Sequence, residues 1–141
     1  MSIGSALRTE LNDDAGITAI VGTQVTLGQA DQRWSLPYVL IHRIGNEHAH
    51  HMGGGGGLAE PTFQITCWES TPFLAEALAT AVRGAIDAFR GTMGSGGNTA
   101  AVRMCHLGGE TDLHDSQDGD NIGAYGVAMT FDMAHTETVP S

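Results

Sequence analysis

Apolar and polar residues alternate most clearly in the segment 62–68. If this segment is extended, one face carries Phe63, Ile65 and Cys67. The opposite face then carries Thr62, Gln64, Thr66 and Trp68. The pattern predicts a half-buried strand, with the Phe63 face toward a core and the Trp68 face outward.

An amphipathic helix is predicted to follow this strand. Ser70 and Thr71 can cap its N-terminus, and Pro72 suits the first turn because no backbone donor is needed there. The next apolar residues recur at helical spacing: Leu74, Leu78, Ala81, Val82, Ala85 and Phe89. Gly91 is expected to end the run. The strand and the helix together predict a core helix packed on a sheet.

The remaining pattern predicts further helices and strands. Short helices are expected at 2–12 and 15–21, with Asp13 and Asp14 at the start of the second. Strands are expected at 24–27, 38–44, 99–107 (continuing less regularly to about 113) and 122–134. This order predicts an α+β fold, in which helices cover one face of a mainly antiparallel sheet of about four strands.

The chain of 141 residues is expected to form a single domain, residues 1–141. Flexible loops are predicted at 46–58 and 92–98, which are rich in Gly, and a flexible tail at 135–141. The first loop would join two antiparallel strands. Loops of this length without structure of their own are usually functional or disordered.

The charge balance is strongly acidic, with a formal net charge of −10, and all six basic residues are arginines. They are scattered along the sequence: Arg8, Arg33, Arg43, Arg83, Arg90 and Arg103. A protein that grips phosphate backbones has a clustered basic surface, so nucleic-acid binding is disfavoured.

The sequence has neither a secretory signal before the first helix nor an apolar run near the ~20 residues that cross a membrane. A soluble, cytoplasmic protein is therefore expected, with no membrane partner. Cys67 and Cys105 fall in predicted strands and are expected to be buried, reduced thiols, although a disulfide between them remains possible.

A histidine cluster is the strongest candidate for metal binding. In an extended segment His48 and His50 would project to the same side, with Glu47 and His51 nearby. However, the cluster lies in a Gly-rich loop, and no second ligand group follows at a recognisable spacing. No metal cofactor is predicted, and a small metal-dependent enzyme remains only as an alternative.

Other candidate chemistry is weaker. The run Asp112, Asp115, Asp118 and Asp120 suggests a calcium loop, but the spacing differs from the EF-hand pattern and the downstream glutamate is absent. A solvated turn is favoured. The glycines at 53–57 lack the Lys-Ser/Thr of a phosphate-binding loop. The sequence therefore predicts no cofactor and no enzyme activity.

Taken in order, these segments resemble the tail completion proteins (also called tail terminator or tail-to-head joining proteins) of long-tailed bacteriophages and gene-transfer particles. The resemblance spans almost the whole chain and rests on residues 14–22, 36–44, 61–68, 75–86, 89–91, 112–115 and 126–133. The order and spacing of these segments carry it, rather than any single one. The Gly-rich segments at 46–57 and 92–98 depart from the usual pattern.

The resemblance implies a structural virion protein without catalytic residues. Such proteins form a ring, typically of six subunits, at the head-proximal end of the tail tube. The ring stops tube growth and docks to the head connector. The implied location is the virion tail, with assembly in the host cytoplasm. Another neck or tail-tube component of similar fold is the alternative.

Two sets of residues are expected to serve such a ring. Contacts with other copies or with partners are predicted at Trp34, His48, His50, Met52 and Trp68, although both tryptophans could instead pack within the chain.

Carboxylates are expected to face the lumen at Asp115, Asp118 and Asp120, where they would repel DNA that passes through without being bound. The alternative is that these carboxylates only keep the outer surface soluble.

Overall fold

Three helices and six strands make up the part of the chain that the computed structural model describes, namely residues 3–22, 24–28, 37–49, 58–95, 98–116 and 123–136. Their order is α1 (Ile3–Asp13), α2 (Ala15–Val21), β1 (Val25–Leu27), β2 (Tyr38–Ala49), β3 (Leu58–Glu69), α3 (Pro72–Ile86), β4 (Gly91–Ser95), β5 (Asn98–Ser116) and β6 (Gly123–Thr136).

The six strands form one sheet in the order β1-β2-β3-β6-β5-β4. β1 pairs with β2 in parallel, and the other neighbouring strands pair antiparallel. The segment 62–68 lies near the centre, because β3 pairs with β2 on one side and with β6 on the other. The predicted α+β class with a mainly antiparallel sheet is confirmed, although the sheet has six strands rather than about four.

One hydrophobic core lies between the helices and one face of the sheet. Phe63, Ile65 and Cys67 are at most 1% exposed and form its centre, as their alternation predicts. α3 contributes the buried side chains of Ala75, Leu78, Ala79, Val82 and Ile86. Full burial of a Leu, Ile or Phe side chain stabilises a fold by roughly 1.5–3 kcal/mol, so this shared core supplies most of the driving force.

α3 begins as the sequence predicts and ends earlier. Thr71 Oγ1 accepts a hydrogen bond from the Leu74 N–H at 3.2 Å, and Pro72 occupies the first turn. The prediction that the helix continues to Phe89 is wrong, because the helix ends at Ile86 with Asp87 as its C-cap.

The segment after α3 covers an open part of the sheet edge. β4 pairs only with the first residues of β5, so none of the described strands covers the backbone of β5 beyond Val102 on that side. The Ala88 N–H donates to the Cys105 carbonyl at 2.7 Å, and the Leu107 N–H donates to Asp87 Oδ1 at 3.1 Å. To reach this position Ala88 adopts a positive φ of 63°, which L-residues rarely adopt.

α1 contacts both edge strands of the sheet, so the sheet curls around it. On one edge, Arg8 Nε donates to the Val25 carbonyl at 2.8 Å. On the other edge, the Gly94 N–H donates to Glu10 Oε1 at 2.9 Å. α1 thus occupies backbone groups that an exposed edge would offer to another strand.

Three predicted boundaries need correction. The loop at 92–98 is wrong, because β4 covers Gly91–Ser95 and pairs with β5 from Asn98. The bounds predicted for the loop at 46–58 are wrong, since β2 extends to Ala49 and β3 includes Leu58. The predicted start of the tail at residue 135 is also wrong, because β6 continues to Thr136. Residues 50–57, 96–97 and 137–141 lie outside the described part of the chain.

We expect Ala88→Gly to stabilise the protein by about 0.5–1 kcal/mol. A left-handed backbone costs an L-residue roughly 1–2 kcal/mol, and glycine removes that strain while adding some unfolded-state entropy. Ala88 is exposed, so the substitution leaves no cavity. The free energy of unfolding from urea titration measures the effect.

Ala77→Gly is the matched control, because Ala77 is also exposed but lies within α3. There glycine should destabilise by about 1 kcal/mol. If both substitutions destabilised the protein equally, the strain assigned to Ala88 would be absent.

Candidate assembly surface

The structure describes only some of the residues singled out in the sequence. Trp34, His50, His51, Met52, Asp118 and Asp120 lie outside the described residues. His48 has a described backbone position near the end of β2, and Asp115 near the end of β5. Trp68 is described in full and is half-buried.

His48 and Asp115 lie at opposite ends of the sheet. His48 is opposite Ala59, which is opposite His135 on β6. Asp115 is opposite Ala124 on the same strand. At about 3.3 Å per residue, the two positions on β6 are about 36 Å apart, so His48 and Asp115 do not share a site.

Within the described segments, no group of three or more His, Cys, Asp or Glu side chains could hold a metal ion. The helices of those segments also include none with the length and hydrophobicity of a membrane span.

Both thiols are free and buried. Cys67 is opposite Val127 and Cys105 is opposite Met133, which places them about 20 Å apart along β6. A disulfide needs Cα atoms within about 7 Å, so the two cannot be bridged.

The environment also makes these thiols unreactive. Burial raises the pKa of Cys67 from 9.0 to about 12, with a smaller contribution from Glu110. Burial raises the pKa of Cys105 from 9.0 to about 12, with smaller contributions from Asp87 and Asp132. Both thiols are protonated at neutral pH and do not supply a nucleophile.

The Trp68 ring packs across Gly126 on the outer face of the sheet. A Cβ atom at Gly126 would lie 2.9 Å from Trp68 Cε3, closer than real contacts allow. The absence of a side chain on β6 therefore lets the indole lie flat on the sheet. Trp68 therefore packs within the chain, which is one of the two alternatives that the sequence leaves open. Part of its side chain remains exposed.

The N-terminal turn of α3 presents apolar side chains to solvent. Phe73 is 86% exposed and Leu74 is 46% exposed, whereas Ala75 is buried. Two carboxylates, Glu76 and Asp112, line an adjoining groove of about 340 Å³ between α3 and the strands β5 and β6. Phe73 and Glu76 are neighbours at i, i+3 on α3. We call Phe73, Glu76 and Asp112 the helix surface.

Aromatic stacking forms the wall of this groove opposite α3. His114 on β5 and Tyr125 on β6 stack with ring centroids 4.6 Å apart and an interplanar angle of 21°. Both residues line the groove together with Pro72.

A second groove, of about 370 Å³, lies at the β1–β2 edge of the sheet. It is lined by Gly4, Leu27, Gly28, Ile41, His42, Arg43 and Phe63, and we call it the edge groove. The guanidinium carbon of Arg43 lies 5.4 Å from the centroid of the Phe63 ring, which favours a cation–π contact. Leu27, at the groove, and the nearby Ile44 are 41% and 56% exposed.

Sequence reasoning did not single out Phe73 or the edge groove. The periodic pattern assigns Leu74 to the buried stripe, but the helix buries Ala75 and Ala79 instead. The sequence contains one sign of an exposed apolar surface: Phe73 is a large apolar residue that falls outside the predicted buried stripe of the helix.

Residues 5–119 match the family model described as Tail completion protein gp17. The chain belongs to this family. Tail completion proteins are structural components of a virion tail, so the prediction of a non-enzymatic structural protein is confirmed. This tail completion protein therefore functions by assembling with other tail proteins.

A solved structure extends the similarity of this tail completion protein in fold. One chain of the virion of a native gene transfer agent particle superposes with a TM-score of 0.68 at 17% sequence identity. The match covers 96% of this chain and 95% of that chain. Among curated protein sequences, none matches the chain.

Gly126→Ala should destabilise the tail completion protein by about 1–3 kcal/mol, because the added methyl group displaces the Trp68 ring. Gly109→Ala is the control. Gly109 lies on the neighbouring strand β5 and would bring its Cβ within 4 Å of no heavy atom, so a change within about 0.5 kcal/mol is expected. Equal unfolding free energies for the two variants would contradict this packing.

The thiols should not react with a disulfide reagent in the native tail completion protein at pH 8, and both should react after denaturation. Because folding raises their pKa from 9.0 to about 12, their stabilising contribution is complete below pH 9 and is lost as the pH rises toward 12. Cys67→Ala with Cys105→Ala should flatten the fall in unfolding free energy over this range. Rapid labelling of native protein would contradict the assigned burial.

Proposed function

We propose that the protein forms a ring of six copies that terminates the tail tube at its head-proximal end and joins the tail to the head connector. The observation that carries the proposal is the family match over residues 5–119. The fold likeness to a gene transfer agent virion chain supports it, because it extends over 96% of the chain. In this proposal the ring assembles in the host cytoplasm and remains in the virion tail.

The charge distribution supports DNA passage without binding. Arg8 and Arg83 are engaged within the protein, since Arg8 donates to the β1 backbone and Arg83 lies near Glu110 with an N–O distance of 3.8 Å. With a net charge of −10 for each copy, a ring would repel DNA phosphates rather than hold them. We propose that Asp115, Asp118 and Asp120 face the lumen.

The separation of the two ends of the sheet supports different contacts at each end. His48 lies near the end of β2, and His50 and Met52 follow it in the sequence, whereas Asp115 lies near the end of β5. We propose that these two ends of the sheet face opposite neighbours in the tail, that His48, His50 and Met52 contact one of them, and that Trp34 and Trp68 add contacts between copies.

Another neck or tail-tube component is the second candidate. The same fold likeness favours it as much as a terminator, since a likeness at 17% identity concerns the fold alone. The metal-dependent enzyme has no such support, because His48 and Asp115 lie at opposite ends of the sheet.

Deletion of the gene should give tails of uncontrolled length and heads without tails. A tube without its terminator continues to add subunits, and the connector lacks its docking surface. Electron microscopy of the particles measures tube length and attachment, with the wild-type gene supplied in trans as the control. Tails of normal length joined to heads would contradict the proposal.

Cryo-electron microscopy of assembled tails separates the two candidates. One ring at the head-proximal end supports the terminator, whereas copies repeated along the tube support a tube component.

A further inference from the structure

The helix surface carries a large apolar side chain that the fold does not use. The side chain of Phe73 is 86% exposed. Aromatic side chains in proteins usually bury roughly 150–250 Å² of surface. The position of Phe73 in the first turn of α3 is fixed by the Thr71 cap and by Pro72. Aromatic residues are enriched at protein interfaces, so this ring is a candidate for contact with another chain.

The edge groove offers a matching apolar surface elsewhere on the molecule. Its exposed apolar area comes from Leu27, which is 41% exposed, whereas Ile41 and Phe63 line the groove but are each only 1% exposed. A groove of about 370 Å³ can hold a phenyl ring. The two surfaces share no residue.

The charges of the two surfaces are opposite. The helix surface has the carboxylates of Glu76 and Asp112, and the edge groove has the guanidinium of Arg43 beside His42. Within the described part of the chain, Glu76, Asp112 and Arg43 form no ion pair. Each surface therefore carries charge that a partner of opposite sign would neutralise.

We propose that the helix surface of one copy docks into the edge groove of the next copy, with Phe73 in the groove and Arg43 facing Glu76 and Asp112. This inference rests on the proposed function, because it identifies the contact that would join neighbouring copies in the ring.

Contact between identical surfaces is disfavoured by the same charges. If two helix surfaces met, the carboxylates of Glu76 and Asp112 would face the same carboxylates of the other copy. If two edge grooves met, Arg43 of one copy would face Arg43 of the other. Pairing unlike surfaces joins opposite charges instead. Contacts between unlike surfaces produce head-to-tail assemblies, which close into rings when the rotation between copies permits.

A charge exchange tests the contact. Arg43→Glu or Glu76→Arg alone should weaken association between copies at least ~10-fold, because each places like charges opposite one another. The two substitutions in one chain should restore association, since residue 43 of one copy faces residue 76 of the next. Arg90→Glu, which changes an exposed arginine outside both surfaces, should leave association unchanged. Native mass spectrometry measures the oligomers and circular dichroism checks folding.

Cysteine crosslinking tests the geometry in assembled tails. Phe73→Cys mixed with Leu27→Cys should give crosslinked dimers, and both substitutions in one chain should give a ladder that ends at the closed ring. The native thiols can remain, because both are buried and protonated. Phe73→Cys alone should not crosslink to itself.

The outcomes separate this inference from the proposed function. Rings that form normally in the charge variants and without the expected crosslink would overturn the contact while leaving the ring intact. Crosslinks from position 73 to another tail protein would also overturn it, since the occupant would then be that protein. Tails with no ring at the head-proximal end would overturn both.

Discussion

The packing of α1 against both edges of the sheet is the constraint on which the rest of the structure depends. Arg8 hydrogen-bonds to Val25 on one edge strand, and Glu10 accepts from Gly94 on the other. With both edges tied to one helix, the sheet curls, its inner face encloses the core, and its outer face turns toward solvent.

Periodicity predicts the parts of this fold whose burial is decided locally. The alternation of Phe63, Ile65 and Cys67 specifies a central strand, and the sequence around Pro72 specifies the start of α3. β4 could not be predicted in the same way, since Gly91–Ser95 has almost no apolar pattern. It is a strand because β5 and Glu10 supply partners for its backbone, which depends on tertiary structure.

The assembly surfaces were harder to predict for a related reason. Sequence rules identify Trp68 as a surface candidate, but they do not show that Gly126 lets its ring lie against the sheet. They assign Leu74 to the core because of its spacing, although the rotation of α3 buries Ala75 instead. The edge groove combines residues from α1, β1, β2 and β3, so no single segment could reveal it.

The contact between Glu10 and Gly94 also has a consequence for the order in which the protein folds. These residues are 84 positions apart, whereas Arg8 and Val25 are only 17 apart. During synthesis α1 can join its first edge strand early, but its second edge emerges only after β2, β3 and α3. Contacts between distant residues require a costly loop closure and slow the folding reaction. α1 therefore meets its second edge strand only after β2, β3 and α3 have been synthesised.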